Sequence, residues 1–182
     1  MKISEAEILI LPGLGNSGPG HWQHRWAKKF STGRIVEQFE WDRPQRADWV
    51  TATQAAVSGA EKPVVLVAHS LAVLAVVFAA PSLPKGKVVG AFLVSPPDFE
   101  NVAIPEGVTG FADVPRDPLP FPSLLVASTN DSYVTPERAA DLAASWGSEL
   151  HLAHNAGHIN ISSGHGPWPE GLLMFTRLMQ RI

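Results

Sequence analysis

Short apolar runs alternate along this chain with longer stretches whose hydrophobic positions recur every three or four residues. Glu7–Leu11 (EILIL) is an apolar run stopped by Pro12-Gly13 and reads as a buried strand. Pro19 then suits the first turn of a helix to about Phe30, with Trp22 and Trp26 four apart on one face. Arg34–Phe39 reads as a second strand. Asp48 to Ala60 reads as a helix whose Trp49, Ala52, Ala56 and Ala60 share a stripe. Pro63–Ala68 (PVVLVA) is a β-branched run with strong strand character, and Leu71–Ala80 (LAVLAVVFAA) has no polar face, as expected of a wholly buried helix.

Val88–Val94 (VVGAFLV) predicts another strand. Six of the residues in Pro96–Pro120 are proline, which makes that stretch mostly loop. Ser123–Ala127 (SLLVA) is strand-like, and Thr135-Pro136 caps and opens a helix to about Trp146. Glu149–Leu152 is a short last strand, and Pro169 to Arg181 a closing helix with Leu172, Leu173, Phe175 and Met179 as core candidates. Strands alternating with helices require crossover connections and a mostly parallel sheet, so the fold class is α/β, with six strands and helices on both faces. No repeat or linker divides the 182 residues, and 1–182 is read as one domain.

Composition narrows the chemistry. Charged residues are only 17% against a usual ~25%, consistent with a sheet covered on both sides. The absence of cysteine excludes disulfides, thiolate nucleophiles and Cys-ligated metal sites. A net charge of -3 offers no argument for a nucleic-acid surface. The acidic start (MKISEAE) is unlike a secretory signal, and Val64–Ala80, broken by His69 and Ser70, is too short to span a membrane. The expectation is a cytoplasmic protein without a membrane or nucleic-acid partner.

In open α/β sheets ligands gather at the carboxyl ends of the strands. After Pro63–Ala68 comes Ala68-His69-Ser70-Leu71-Ala72, a strand–turn–helix setting with small residues two before and two after the serine, as a nucleophile elbow requires. Serine also caps buried helices, so this pentapeptide alone does not decide. The next strand ends carry Asp131 and His158, either of which is on its own an ordinary turn or loop residue. Together the order is Ser70, Asp131, His158, that of α/β-hydrolases, in which an imidazole takes the serine proton and a carboxylate fixes the imidazole tautomer. The glycine-rich loop after the first strand supplies a second backbone donor for an oxyanion, so Leu14 and Leu71 are the expected N–H pair. Gly13, Gly15 and Gly18 also fit the dinucleotide pattern G-x-G-x-x-G, but Pro19 follows and Glu40-Trp41 matches the ribose-binding acid only in part.

The block Leu11-Pro12-Gly13-Leu14-Gly15-Asn16-Ser17-Gly18-Pro19-Gly20-His21-Trp22-Gln23-His24-Arg25-Trp26 resembles the opening of the small YdeN-like serine hydrolases, the retinoblastoma-binding protein 9-like group. Ala68-His69-Ser70-Leu71, Asn130-Asp131 and Gly157-His158-Ile159-Asn160 resemble its other motifs, and Ala72 departs from the glycine commonest there. The resemblance implies a compact α/β-hydrolase fold lacking the first two strands and a large lid domain, with Ser70, Asp131 and His158 as triad and no cofactor. A retinoblastoma-binding L-x-C-x-E motif cannot occur without cysteine, so that partner is not carried over and no protein partner is named.

Several residues compete for roles. His151, His154 and His158, with His165 beyond, have a count that suits zinc, but Asn155 and Gly157 break their helical spacing, and no metal is expected. Asp98, just past a strand, is the reserve acid. His21 and His24, at the start of a helix that borders the glycine loop, either line the site or, as the favoured reading, are partly exposed packing residues. The six tryptophans read as core or loop anchors. Function is expected to be esterase-like, acting on a small ester or acyl substrate through an acyl-enzyme. The alternative is a catalytically silent scaffold that binds protein. With few large apolar residues in Pro96–Pro120 (Phe99, Ile104, Phe111, Leu119), short acyl chains are expected to be preferred.

Overall fold

The structure is a computed structural model that describes residues 1–182. Six parallel strands form one sheet: β1 (Glu7–Leu11), β2 (Gly33–Ile35), β3 (Val64–His69), β4 (Val88–Val94), β5 (Ser123–Ser128) and β6 (Glu149–Ala153). Their spatial order is β2-β1-β3-β4-β5-β6, so the chain runs to one edge, returns across β1 and then proceeds outward. Five helices connect them: α1 (Trp22–Lys29), α2 (Arg46–Ser58), α3 (Leu71–Ala79), α4 (Pro136–Trp146) and α5 (Pro169–Arg181). None is long and apolar enough to cross a membrane.

The strands read as continuous apolar runs because both faces are buried. Their residues divide with period two: Leu9, Leu11, Leu66, Ala68, Ala91 and Leu93 pack into one core with α2, α3 and α4. Ile8, Ile10, Val65, Val67, Phe92 and Val94 pack into the other with α1 and α5. In the second core Trp22 sits edge-on to Trp26 and Trp168, Trp26 packs tilted against Phe30, Phe92 and Phe175, and Trp168 packs tilted against Phe92. These are anchoring contacts, as the sequence suggests for its tryptophans.

The helix α3 needs no polar face because the proline-rich connection 96–120 lies over it. Phe111 is fully buried and sits edge-on to Phe78 of α3 and to Trp49 of α2. Thr135 caps α4 by accepting the Arg138 N–H, with Pro136 at the first helical position, as its sequence predicts.

Four local expectations are corrected. The edge strand β2 stops at Ile35 rather than running to Phe39, because it pairs only with β1; Phe39 is 89% exposed. The helix α1 begins at Trp22, since Pro19-Gly20 form a turn and His21 supplies the cap. Along α2 Trp49, Thr53 and Val57 are fully buried, with the expected Ala52 and Ala56 half-buried beside them on the same face and Ala60 buried just past the helix; the Thr53 hydroxyl is satisfied by the Trp49 carbonyl, so burial leaves it paired. On α5, Phe175 and Met179 are buried and Leu172 partly so, as expected, and Met174 and Leu178 join them, but Leu173 is exposed because it lies off the helical stripe Gly171, Met174, Phe175, Leu178 and Met179.

Candidate active site

Ser70 lies in the turn between β3 and α3 with φ 54° and ψ -127°, a backbone state that a serine holds only under constraint. That constraint comes from its neighbours: the Ser70 N–H is held by the Val94 carbonyl, and Ala68 and Ala72 are fully buried with no room for larger side chains. Gly13 approaches from the first connection. A Cβ on Gly13 would lie 2.9 Å from the Ser70 Cβ and 3.0 Å from the His69 carbonyl oxygen, so only glycine allows this approach.

The close approach brings the two expected backbone donors to one place. Leu14 opens a short 3-10 turn, Leu14–Asn16, and Leu71 opens α3, so neither N–H has an acceptor within its own helix. Both residues line the same cavity as Ser70. The glycine loop thus ends in a turn that faces the serine, and Glu40, the partial dinucleotide match, instead accepts the Asp42 N–H at the surface.

Asp131 and His158 meet Ser70 at the carboxyl edge of the sheet. The Asp131 carboxylate, its side chain fully buried, accepts from His158 Nδ1 at 2.9 and 3.0 Å. A carboxylate only accepts, so Nδ1 carries the proton and Nε2 of the neutral ring is an acceptor. The Ser70 Oγ lies 2.9 Å from that Nε2. Chemically this arrangement can move the serine proton to an imidazole already held in the required tautomer. Asp98, the reserve acid, is turned away: it is ion-paired with Arg138 at 3.1 Å and caps the turn at Glu100 and Asn101.

No three histidine, aspartate or glutamate side chains come together with metal-binding geometry; His151 and His154 lie exposed, apart from His158. The cavity in front of Ser70 has a volume of about 320 Å³. Its apolar lining is Leu14, Leu71 and Ile161 with Pro97, Phe99, Pro105 and Val108 of the proline-rich connection, which therefore borders the site rather than standing clear of it.

A family model described as serine hydrolase matches residues 8–177. The chain belongs to the serine hydrolase family. As an α/β-hydrolase enzyme it is similar to a protein of Pectobacterium atrosepticum described as a YdeN-like hydrolase, with 31% identity over 98% of this chain and 93% of that one, at a TM-score of 0.85. It is similar in fold to the ydeN gene product of B. subtilis (19% identity, 96% and 99% coverage, TM-score 0.75). The same holds for Thermogutta terrifontis esterase 2 (16% identity, 100% and 85% coverage, TM-score 0.69). No curated protein sequence matches the chain.

Some residues that shape this hydrolase's site escape sequence reasoning. Ser128, Thr129 and Asn130, at the end of β5, accept three successive N–H groups of the loop before His158. Ala156 donates to the Ser128 Oγ at 2.8 Å, Asn155 to the Thr129 Oγ1 at 2.9 Å and Gly157 to the Asn130 Oδ1 at 2.7 Å. Gly157 is required there, because a Cβ would fall 2.6 Å from the Ser163 Cβ. His69 is buried and donates from Nε2 to the His158 carbonyl at 2.9 Å. Burial, with His158 and His21 nearby, holds its pKa well below the ordinary histidine value, so it acts as a neutral brace. Gln23 is also buried and donates to the Leu11 and Val67 carbonyls, tying the ends of β1 and β3. His21, expected to be partly exposed, is 2% exposed and lines the cavity. The run Ser-Thr-Asn before Asp131 was the only signal of the loop anchor, and it reads equally as turn composition.

Proposed function

We propose that this hydrolase cleaves small carboxylic esters through an acyl-enzyme on Ser70. The observation that carries this reading is the hydrogen-bonded sequence Ser70 Oγ, His158 Nε2, His158 Nδ1, Asp131, on a serine held at positive φ. Ser70 Oγ attacks the ester carbonyl carbon as its proton passes to His158 Nε2, and the carbonyl oxygen becomes an oxyanion facing the Leu14 and Leu71 N–H groups. Collapse of the tetrahedral species breaks the bond to the alcohol oxygen, which leaves with the proton from His158, and Ser70 remains acylated. Water then gives its proton to the same nitrogen as its oxygen attacks the acyl carbon, and collapse breaks the bond to Ser70 Oγ, which takes that proton back from His158 as the carboxylic acid leaves. Asp131 stays ionised and stabilises the imidazolium in both halves.

A cavity of about 320 Å³ is at the small end of ligand sites and supports a small substrate. The test is incubation with a fluorophosphonate probe and location of the adduct by mass spectrometry. A modified Ser70, with loss of ester hydrolysis in a folded Ser70→Ala variant, is the expected result. An adduct on another serine, or full turnover by Ser70→Ala, overturns the assignment.

A further inference from the structure

The wall of the cavity is unlike on its two flanks. The connection between β1 and α1 contributes Ser17 and His21 beside Leu14, and the segment after His158 contributes Asn160 and Ser162 beside Ile161. These two segments pack on each other: the Trp22 N–H donates to the His165 carbonyl, and the Trp22 indole donates to the Ile159 carbonyl at 2.9 Å. They form one flank beside His158 in which four polar side chains accompany Leu14 and Ile161, a more polar flank than the proline-rich connection. A leaving alcohol must take its proton from His158 Nε2, so its place is on the His158 side.

Within that flank His21 is unusual. Its Nδ1 caps α1 by accepting the Gln23 N–H at 3.2 Å. An acceptor Nδ1 is unprotonated, so the neutral ring carries its hydrogen on Nε2. That Nε2 is buried and makes no hydrogen bond within the protein, on a residue that lines the cavity. Burial, with the nearby His24, His158 and His165, lowers its pKa to about 3, so the group stays a neutral donor throughout the working pH range. A buried donor left unpaired by the protein beside a cavity is open to a partner supplied by a ligand.

We propose that the polar flank receives the alcohol portion of the ester and that the His21 Nε2–H donates to an acceptor oxygen on it, so that esters of oxygenated alcohols are preferred over esters of plain alkanols. This rests on the acyl-enzyme reading above, because the side on which the alcohol lies follows from proton delivery by His158. Specificity is then set by the unpaired donor: an alkanol of equal length leaves Nε2–H buried without a partner, whereas an ether or hydroxyl oxygen satisfies it.

The experiment compares 2-methoxyethyl butanoate with butyl butanoate, which share an acyl group and chain length and differ by one ether oxygen. Each kcat/KM is divided by the rate constant for hydroxide-catalysed hydrolysis of the same ester, which removes intrinsic reactivity. Wild type is expected to favour the methoxyethyl ester about tenfold, the size of one buried hydrogen bond. His21→Phe, which keeps a ring but no donor, and His21→Ser, which keeps a helix cap but does not reach, should both bring the ratio to about one. A wild-type ratio near one, or a tenfold ratio that survives both substitutions, overturns the proposal. Should neither variant fold, the wild-type ratio stands with the His21 Nε2–H resonance of Ser70→Ala, which should move on saturation with the methoxyethyl ester and stay unmoved with the butyl ester. The reverse pattern overturns the proposal. Fluorophosphonate labelling of Ser70 in the same preparation separates the two ideas: a labelled Ser70 with a ratio of one removes this inference and leaves the acyl-enzyme reading intact.

Discussion

Acidification should destabilise this hydrolase well before its carboxylates titrate, through the histidines packed behind the site. His21 is lowered from an ordinary value of 6.5 to about 3, and His69 is lowered as well, chiefly by burial in both cases. In the unfolded chain both titrate near ~6.5. Below that pH the unfolded state binds protons that the native state refuses, so stability is complete above ~6.5 and falls with pH until the folded pKa is reached. For His21 the window runs from about 6.5 down to about 3. At ~1.4 kcal/mol per unit, the 1.5 units between 6.5 and 5 amount to about 2 kcal/mol lost at pH 5 relative to pH 7.5 from His21 alone. His69 adds a loss of the same sign. Against a typical stability of ~5–15 kcal/mol this is large. Urea unfolding followed by tryptophan fluorescence at pH 7.5, 6.0 and 5.0 measures it; with a slope of ~2 kcal/mol/M the midpoint should fall by at least about 1 M. In His21→Ser the loss should shrink by the roughly 2 kcal/mol assigned to that ring. Equal stability at pH 7.5 and 5.0, or an identical loss in the variant, would refute the reasoning, because it would mean that His21 is protonated as readily folded as unfolded.

Three other outcomes follow from the geometry. His158→Ala and Asp131→Asn should each reduce kcat by about 10³–10⁴-fold, with His158→Ala at least as severe, whereas Asp98→Asn should appear mainly as reduced thermal stability; wild-type turnover by Asp131→Asn would return the acid's role to Asp98. Ser128→Ala leaves the buried Ala156 N–H without its acceptor and should cost about 1–3 kcal/mol of stability together with a fall in kcat, read by thermal melting and steady-state assay; an unchanged melting temperature would show that the loop before His158 is held by other contacts. Among p-nitrophenyl esters kcat/KM should rise with acyl length only to about six carbons, although a matching groove would add ~0.8 kcal/mol per methylene; a rise continuing to twelve carbons would show a longer groove than Phe99, Pro105 and Val108 enclose.

What the sequence determined by itself was everything set by short-range pattern. The runs at β1, β3, β4 and β5 could only be strands buried on both faces, and Thr135-Pro136 could only open a helix, because such signals act over a few adjacent residues. The small residues around Ser70 and the chain order of Ser70, Asp131 and His158 also lie on the surface of the sequence. Tertiary structure decided matters that depend on which distant segment arrives. Helix α2 carries Ala52, Thr53, Ala56 and Val57 on one stripe, and its packing on α3 puts Thr53 and Val57 at the centre of the contact and leaves the two alanines half-buried at its edge. His21 and Asp98 carry no local mark of burial; one packs against the His69 ring at the end of β3, the other pairs with Arg138 from α4. The loop before His158 is held by Ser128, Thr129 and Asn130, about 26 residues earlier, through hydrogen bonds that exist only once β5 and β6 lie side by side. Periodicity reports how a segment meets its own neighbours; the pairing of a buried polar group is fixed by the whole fold, and in this molecule that pairing places the imidazole against the serine.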